Sequence, residues 1–221
     1  MIRAVVFDFD GLILDTEKNE FRSFQQIYRQ FGFELTLERW SGCVGTDQSV
    51  FNPYDDLERC IGKPLDREAI RTSHRRQFDE WMENERPLPG VETYLREAKN
   101  LGLKIGLASS SSRAWVTGYL QRHGLIDYFD CIRTRDDVEK VKPDPALYRL
   151  AVQCLGVEPT EAVAFEDSPN GALAAKRAGL YCVVVPNEVT APLTFGEYDI
   201  RLRSLKDMPL SELIERLEKS A

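Results

Sequence analysis

The sequence is poor in the residues that build zinc sites or histidine-based metal sites, since it has only two histidines and five cysteines. The cysteines are odd in number, widely spaced and without a C-x-x-C pair: Cys43, Cys60, Cys131, Cys154 and Cys182. This spacing favours neither a disulfide framework nor a zinc site. Cys131 and Cys182 lie in apolar surroundings and are interpreted as small core residues. His74 and His123 are interpreted as structural or exposed residues of helices.

The chain also lacks an excess of positive charge and a long apolar run. Its formal net charge is −7 and its pI is near 5.1, whereas surfaces for nucleic acid or anionic membranes need clustered lysine and arginine. We see no run of about 18 apolar residues that would span a membrane and no secretory signal. We therefore expect a cytoplasmic protein with no nucleic-acid or membrane partner, present as a monomer or weak dimer.

The N-terminal segment 5–11 is the most informative part of what is present, because an apolar run ends there in two aspartates and a glycine. Side chains alternate along a strand, so Asp8 and Asp10 lie on the same side of its carboxyl end. Ligands of open α/β sheets bind at that end. Carboxylates this close repel each other unless a divalent cation neutralises them or one holds a proton. Aspartates also end strands at ordinary polar turns, so this segment alone leaves both interpretations open.

Beyond this strand the chain divides into a helical part and an alternating part. Apolar residues recur at helical spacing in the segments 17–31, 50–61 and 68–83. After the turn-forming stretch 87–90, strands predicted at 103–108, 131–132, 162–165 and 181–185 alternate with helices that end at glycines.

Such alternation is typical of a parallel, doubly wound sheet. We predict an α/β, Rossmann-like core of residues 1–15 and 88–221. An α-helical cap of residues 16–87 is predicted to be inserted after the first strand.

Polar residues follow several predicted strands at the edge where their carboxyl ends meet. The run 109–112 contains only serine, and it is either a set of helix caps or a phosphate site that uses the free N–H groups of a helix start. Ser109 and Ser110 are the candidate phosphate-binding residues. Glu166 and Asp167 follow another strand and, beside the N-terminal aspartates, complete an oxygen-rich cluster suited to Mg²⁺.

Lys142 is the candidate cation of this site. Most lysines are merely solvated, but this one lies in the sequence Val-Lys-Pro-Asp-Pro, where two prolines stiffen the loop. Asp144 can start the helix that follows. An ammonium held beside the carboxylates can bind a phosphate and offset the negative charge.

Taken together, these segments resemble the haloacid dehalogenase-like phosphotransferases, in the subgroup with a helical cap after the first strand. The matching residues are DFDGLILDTE from Asp8, then Ser109, then Lys142 in KPDP, and finally EDSxxG from Glu166 with the small residues that follow. They span the chain from residue 5 to about residue 185. The resemblance implies a Mg²⁺-dependent enzyme that works through an aspartyl-phosphate, and phosphate chemistry rather than carbon–halogen cleavage, which does not need the metal cluster.

The resemblance also implies the role of each residue. Asp8 would attack phosphorus, while Asp10 would protonate the leaving oxygen and later take a proton from the incoming nucleophile. Ser109, Ser110 and Lys142 would bind the transferring phosphoryl group. The implied metal-binding residues are Asp8, Asp10 through its carbonyl, Asp167 and the nearby Glu166.

The substrate is implied by the same resemblance, since the motifs are similar to those of β-phosphoglucomutases and sugar-phosphate phosphatases. The mutases carry a cap histidine where this chain has Glu20, and a cap arginine where it has Gln48. Both departures favour hydrolysis of a small phosphate ester, a sugar or polyol phosphate, with Glu20 and Gln48 as candidate substrate-binding residues. A phosphosugar mutase and a non-catalytic binding module remain the alternatives.

Overall fold

The protein is described by a computed structural model over residues 1–40 and 51–219. Six parallel strands form one sheet within these residues: β1 (Ala4–Phe7), β2 (Lys104–Ala108), β3 (Cys131–Arg133), β4 (Ala162–Glu166), β5 (Tyr181–Val184) and β6 (Ile200–Arg201). Their order across the sheet is β3-β2-β1-β4-β5-β6. The central strand β1 aligns Phe7 with Leu107 of β2 and with Phe165 of β4. The carboxyl ends of these three strands are therefore level, and the residues that follow them share one edge.

Helices cover both faces of the sheet. They are α1 (Thr16–Gln30), α2 (Leu37–Trp40), α3 (Pro53–Ile61), α4 (Arg67–Met82), α5 (Val91–Asn100), α6 (Arg113–Arg122), α7 (Ala146–Leu155), α8 (Pro169–Ala178) and α9 (Leu210–Lys219). Val5 and Phe7 of β1 belong to a buried cluster with α5, α6 and α9, whereas Ala4 and Val6 belong to one with α7 and α8. Alternate residues of the strand thus pack against helical layers on the two faces of the sheet, which confirms the predicted doubly wound α/β sheet.

The helices α1 to α4 form the predicted cap, which follows the first strand. Their apolar stripes meet in a separate buried cluster that includes Phe24, Tyr28 and Leu57. Helix α3 begins with Pro53 in the first turn, and the Asn52 side chain accepts the Tyr54 N–H at 2.9 Å.

Two connecting segments join the cap to the sheet domain. They are hydrogen-bonded to each other, since the Leu88 N–H donates to the Ile13 carbonyl at 2.8 Å. The division into residues 1–15 with 88–221 and 16–87 stays a prediction.

The cysteine interpretation needs a correction, because Cys131 of β3 is bonded to Cys154 of α7. These residues are 23 positions apart in sequence, and their Cα atoms are 6.3 Å apart. Helix α7 packs against β3, so the topology brings together two cysteines that sequence spacing does not pair. Cys182 is buried as expected, Cys60 is free, and Cys43 lies outside the described residues.

The sequence analysis assigned no element beyond residue 185, where β6 and α9 lie. Strand β6 has two residues and is too short to show a period. Helix α9 does carry a detectable stripe, since Leu210, Leu213 and Leu217 recur at helical spacing and are buried. Along residues 1–40 and 51–219, the structure contains no helix with the length and apolar character needed to cross a membrane.

Candidate active site

Three buried carboxyl groups and one ammonium lie together at the carboxyl edge of the sheet. Asp8 follows β1, Glu166 ends β4, and Asp167 follows Glu166. Each of the three offers a carboxylate oxygen within 4.8 Å of those of the other two. Lys142 Nζ is 2.5 Å from Asp8 Oδ1 and 2.6 Å from Glu166 Oε1. The structure therefore brings together four of the residues that the sequence placed in one site.

The charges of this cluster do not balance, and the pKa values reflect the imbalance. Burial, the proximity of Glu166 and that of Asp10 raise the pKa of Asp8 to about 7, although Lys142 lowers it. Burial and the neighbouring carboxylates hold the pKa of Asp167 well above its usual range. Burial alone would lower the pKa of Lys142, but Asp8 and Glu166 raise it above its ordinary value, so this lysine stays charged.

The donor set of this cluster fits Mg²⁺. Three carboxylates with one ammonium leave an excess of negative charge in a buried place, and oxygen ligands are those that Mg²⁺ prefers. Asp167 is 2% exposed, so water screens its charge poorly. The Asp10 side chain is not part of this group, since its carboxylate is directed to other partners. Asp8, Glu166 and Asp167 are the side chains that could hold the ion.

Two glycines allow the chain to pack this closely around the carboxylates. Gly11 has φ 78°, and a Cβ there would lie 2.3 Å from Asp167 Oδ2. A Cβ at Gly171, in the first turn of α8, would lie 1.9 Å from Glu166 Oε2. Ser168 caps the same helix by accepting the Gly171 N–H at 3.1 Å, and its hydroxyl donates to Glu166 Oε2 at 3.3 Å. The EDSxxG pattern thus combines a carboxylate of the acidic cluster, a helix cap and a required glycine.

Asp10 is held by the segment that leads from β2 into α6. The Ser111 hydroxyl donates to Asp10 Oδ2 at 2.6 Å, and the Ser109 hydroxyl lies 3.4 Å from the same oxygen. The Trp115 indole N–H donates to Asp10 Oδ1 at 2.9 Å. Ser109 is fully buried, and its Oγ accepts the Ser111 N–H at 2.9 Å. The serine run is therefore beside Asp10 and at the start of a helix, as predicted, with Ser112 as the N-cap.

Three residues of this site were missed by the sequence analysis. The Tyr148 hydroxyl donates to Glu166 Oε1 at 2.5 Å, and its ring lies 5.1 Å from Lys142 Nζ. The Asn187 amide donates to Asp167 Oδ2 at 2.8 Å and to the Gly11 carbonyl at 3.1 Å. Asn187 comes just after β5, so the same reasoning about strand ends could have found it. Nothing in the sequence alone marks Tyr148 or Trp115.

An open cavity of about 520 Å³ lies between this edge of the sheet and the cap. Asp8, Asp10, Ser110, Lys142 and Asp167 line its floor. The residues that line it from the cap are Thr16, Glu17, Glu20, Arg75 and Phe78. The structure thus places Glu20 and Ser110 at the cavity, as the sequence analysis expected. Gln48, the other candidate of the cap, lies outside the described residues.

The cap side of the cavity is polar and includes carboxyl groups with raised pKa values. Burial, followed by the proximity of Asp10, raises the pKa of Glu17 to about 8. Burial raises the pKa of Glu20 to about 7, although Arg75 lowers it. His74 Nε2 lies 3.4 Å from Glu20 Oε1, and burial lowers the pKa of His74 to about 4. At neutral pH the cavity therefore offers both hydrogen-bond donors and acceptors, which suits a ligand that carries hydroxyl groups.

Comparisons of the sequence and of the structure with known proteins agree with one another. The sequence pattern of the family described as "haloacid dehalogenase-like hydrolase" matches residues 5–185. A Bacillus subtilis protein, "Putative phosphatase YhcW", is 52% identical over 217 residues and covers 98% of each chain. The "Phosphorylated carbohydrates phosphatase" of Thermotoga maritima is 31% identical over 81% of this chain and 82% of its own. The crystal structure of a "putative beta-phosphoglucomutase" from Thermotoga maritima superposes with a TM-score of 0.77 at 26% identity, over 97% of this chain and 99% of the other.

Proposed function

Because this chain belongs to the haloacid dehalogenase-like hydrolase family, we propose that it is a Mg²⁺-dependent phosphatase that hydrolyses a sugar or polyol monophosphate through an aspartyl-phosphate. Its family and relatives support a phosphoric monoester hydrolase. The observation that carries the finer proposal is Asp8, a carboxylate at the floor of the cavity, held by Lys142 at 2.5 Å beside a buried acidic cluster.

The proposed reaction has two steps. In the first, a carboxylate oxygen of Asp8 attacks phosphorus and the bond from phosphorus to the ester oxygen breaks, while Asp10 gives its proton to the departing oxygen. In the second, water attacks the phosphoryl group on Asp8, and Asp10 takes a proton from that water. Inorganic phosphate leaves, and Asp8 is again a free carboxylate. Lys142 holds Asp8 Oδ1, so Oδ2 is the oxygen available for attack.

The remaining residues of the floor bind and orient the phosphoryl group. We assign this role to Ser109, Ser110 and the ammonium of Lys142, since they lie around the two aspartates and supply donors and positive charge. Asp8, the Asp10 carbonyl and Asp167 would hold Mg²⁺, with Glu166 nearby. The ion would supply charge neutralisation for the phosphoryl oxygens and for the carboxylate cluster.

The cap supplies the contacts beyond the phosphoryl group. Glu17 and Glu20 have raised pKa values, so each can donate or accept a hydrogen bond at neutral pH, as a polyol requires. Arg75 lies on the same side of the cavity and adds a cation. Gln48 stays a predicted member of this group. The name of the Thermotoga carbohydrate phosphatase supports the same substrate class.

A phosphorus NMR time course with Mg²⁺ and a panel of sugar and polyol monophosphates, including β-glucose 1-phosphate, tests the proposal. We expect one ester to disappear as free phosphate grows. Asp8→Asn keeps the size of the side chain but removes the nucleophile, and it should reduce turnover to background. Asp127→Asn changes an exposed aspartate and should leave the rate unchanged. Turnover by Asp8→Asn at the unmodified rate would disprove the assigned nucleophile.

The same experiment separates the alternatives. The similarity to the structure of the "putative beta-phosphoglucomutase" supports keeping the mutase as the alternative. It predicts conversion of β-glucose 1-phosphate to glucose 6-phosphate with little free phosphate. A binding module without catalytic activity would leave every ester of the panel intact.

A further inference from the structure

Trp115 is one of the residues of this site to which neither the motifs nor the family resemblance gives a role. It lies in α6, and its indole N–H reaches Asp10 Oδ1 at 2.9 Å. The face of the same indole is in contact with the cap. Its ring centroid is 5.7 Å from that of Phe78, with the planes 26° apart, and the Arg75 guanidinium carbon is 5.6 Å from it. Trp115 thus joins the carboxyl of Asp10 to helix α4.

The indole is held on more than one side, so its N–H has a defined direction. Tyr119, one turn later in α6, packs edge-on at 4.6 Å between ring centroids. Phe78 is buried and stacks on the indole from the cap. The Arg75 side chain adds a cation–π contact, a type of contact worth about 0.5–1 kcal/mol at exposed sites. A side chain that is held in this way places its hydrogen-bond donor more precisely than a mobile side chain does.

The chemistry of the donors distinguishes the two oxygens of Asp10. An indole N–H only donates, so Oδ1 is kept as an acceptor. A serine hydroxyl can rotate and can donate or accept, so Ser111, which is 2.6 Å from Oδ2, restricts that oxygen less than the indole restricts Oδ1. Oδ2 also lies 3.4 Å from the hydroxyl of Ser109, which belongs to the proposed phosphoryl-binding group. The indole therefore holds Oδ1 and leaves Oδ2 facing the serine segment, where we place the phosphoryl group.

We propose that Trp115 is a positioning residue, which orients the Asp10 carboxyl so that Oδ2 delivers the proton to the departing ester oxygen. The inference rests on the proposed function, because it needs Asp10 as the general acid. The orientation of this acid then depends on an indole N–H of the core domain, and Phe78 of the cap holds that indole in place.

The test compares two esters that differ in their need for an acid. An alkoxide leaving group requires protonation, whereas 4-nitrophenolate leaves without it. The quantity to measure is kcat/KM, which reports the steps up to cleavage of the ester, for 4-nitrophenyl phosphate and for the sugar or polyol phosphate that the NMR panel identifies. Trp115→Phe keeps an aromatic ring beside Phe78 but removes the N–H.

We expect Trp115→Phe to lose about tenfold or more in kcat/KM on the alkyl ester, since general acids contribute about 10²- to 10⁴-fold, and less than about threefold on 4-nitrophenyl phosphate. Asp10→Asn should show the same selectivity with a larger loss. The matched control is Trp40→Phe, a buried tryptophan whose N–H has no hydrogen-bond partner among residues 1–40 and 51–219. It should lose little on either ester.

If Trp115→Phe loses kcat/KM equally on both esters, or loses none, the inference is overturned. If Asp10→Asn still shows a selective loss on the alkyl ester in that case, the proposed function is upheld. Equal losses in Asp10→Asn would overturn both, because Asp10 would then not be the general acid. Phe78→Leu offers a second test if Trp115→Phe fails to fold. It keeps the N–H but removes the ring that stacks on the indole, and a smaller selective loss on the alkyl ester is expected.

Discussion

At Gly171 the size of one side chain decides whether the buried carboxylate of Glu166 and helix α8 can be neighbours. The backbone of this residue is helical, so it needs glycine for space rather than for an unusual φ angle. Glu166 is fully buried and accepts from Lys142 and Tyr148, so its carboxylate has little freedom to move away. The glycine of the EDSxxG motif could be recognised in the sequence. The reason for a glycine at this position could not be predicted, because the clash involves the carboxylate of Glu166, whose direction depends on Lys142.

Gly171→Ala should destabilise the protein and reduce turnover. The added Cβ would lie 1.9–2.1 Å from the Glu166 carboxylate atoms, and overpacking of this kind costs about 1–3 kcal/mol. Urea denaturation measures the loss of unfolding free energy, and kcat on the identified ester measures the loss of activity. Gly118→Ala is the control, since an added Cβ at that helical glycine meets no atom within 4 Å apart from its chain neighbours and the backbone of its own helix, and the change should stabilise by up to about 1 kcal/mol. Equal effects of the two changes would contradict the steric argument.

At the scale of the elements, helices α1 and α4 of the cap pack through an aromatic group that contains a buried histidine. His74 of α4 lies 4.3 Å from Phe24 of α1 between ring centroids and 6.2 Å from Phe78. The apolar period of both helices could be read from the sequence, because apolar residues recur every three to four positions. The burial of His74 could not be predicted from the sequence, because a histidine within a polar helix is equally compatible with an exposed face.

His74 should make the stability of the protein depend on pH. Its pKa is lowered from about 6.5 to about 4, chiefly by burial, so between these values the unfolded chain binds more protons than the folded one. Lowering the pH through this window therefore destabilises the fold, by up to about 3 kcal/mol at 1.36 kcal/mol per pKa unit. His74→Phe keeps the ring and removes the titration.

Urea denaturation of both proteins at pH 6.5 and pH 4.5 measures the effect. Glu20 titrates over the same pH range, but its effect on stability is opposite. Its pKa is raised from 4.5 to about 7, so its protonation stabilises the folded state as the pH falls. The difference between wild type and His74→Phe is thus the quantity to compare. The wild type should lose stability relative to the variant as pH falls, and a constant difference would contradict the assignment.

At the scale of the whole molecule, the acidic cluster is assembled from distant parts of the chain. Asp8 follows β1, Asp167 follows β4, and Lys142 lies in the loop before α7. Each of these residues was predicted from local sequence, because strand ends and a proline-stiffened loop are local features. The distances among them depend on the order of the strands, which places β1 between β2 and β4.

Binding of Mg²⁺ should therefore stabilise the whole folded state. A ligand at 100 times its Kd adds about 2.7 kcal/mol, which corresponds to a rise in Tm of about 5–10 °C for a chain of this size. Asp167→Asn should abolish this rise. It should not destabilise the metal-free protein, because it removes one of three repelling buried carboxylates. Scanning calorimetry with Mg²⁺ and with a chelator measures both effects without any substrate.

The control for this experiment is Asp127→Asn, which should keep the full shift in Tm, since Asp127 is exposed and distant in sequence from the cluster. A shift in Asp167→Asn as large as that of the wild type would show that Mg²⁺ acts elsewhere.

The doubly wound α/β sheet, the helical cap after β1 and the strand-end residues Asp8, Asp10, Glu166 and Asp167 could be predicted from the sequence, because these depend on hydrophobic period, turn residues and short motifs within one segment. Three contacts became visible only in the folded molecule: the bond from Cys131 to Cys154, the contact of Asn187 with Asp167 and the position of Trp115 between Asp10 and Phe78. Each of these contacts joins distant segments and therefore depends on which elements become neighbours. That choice follows from burial of apolar surface over the whole chain rather than from local pattern.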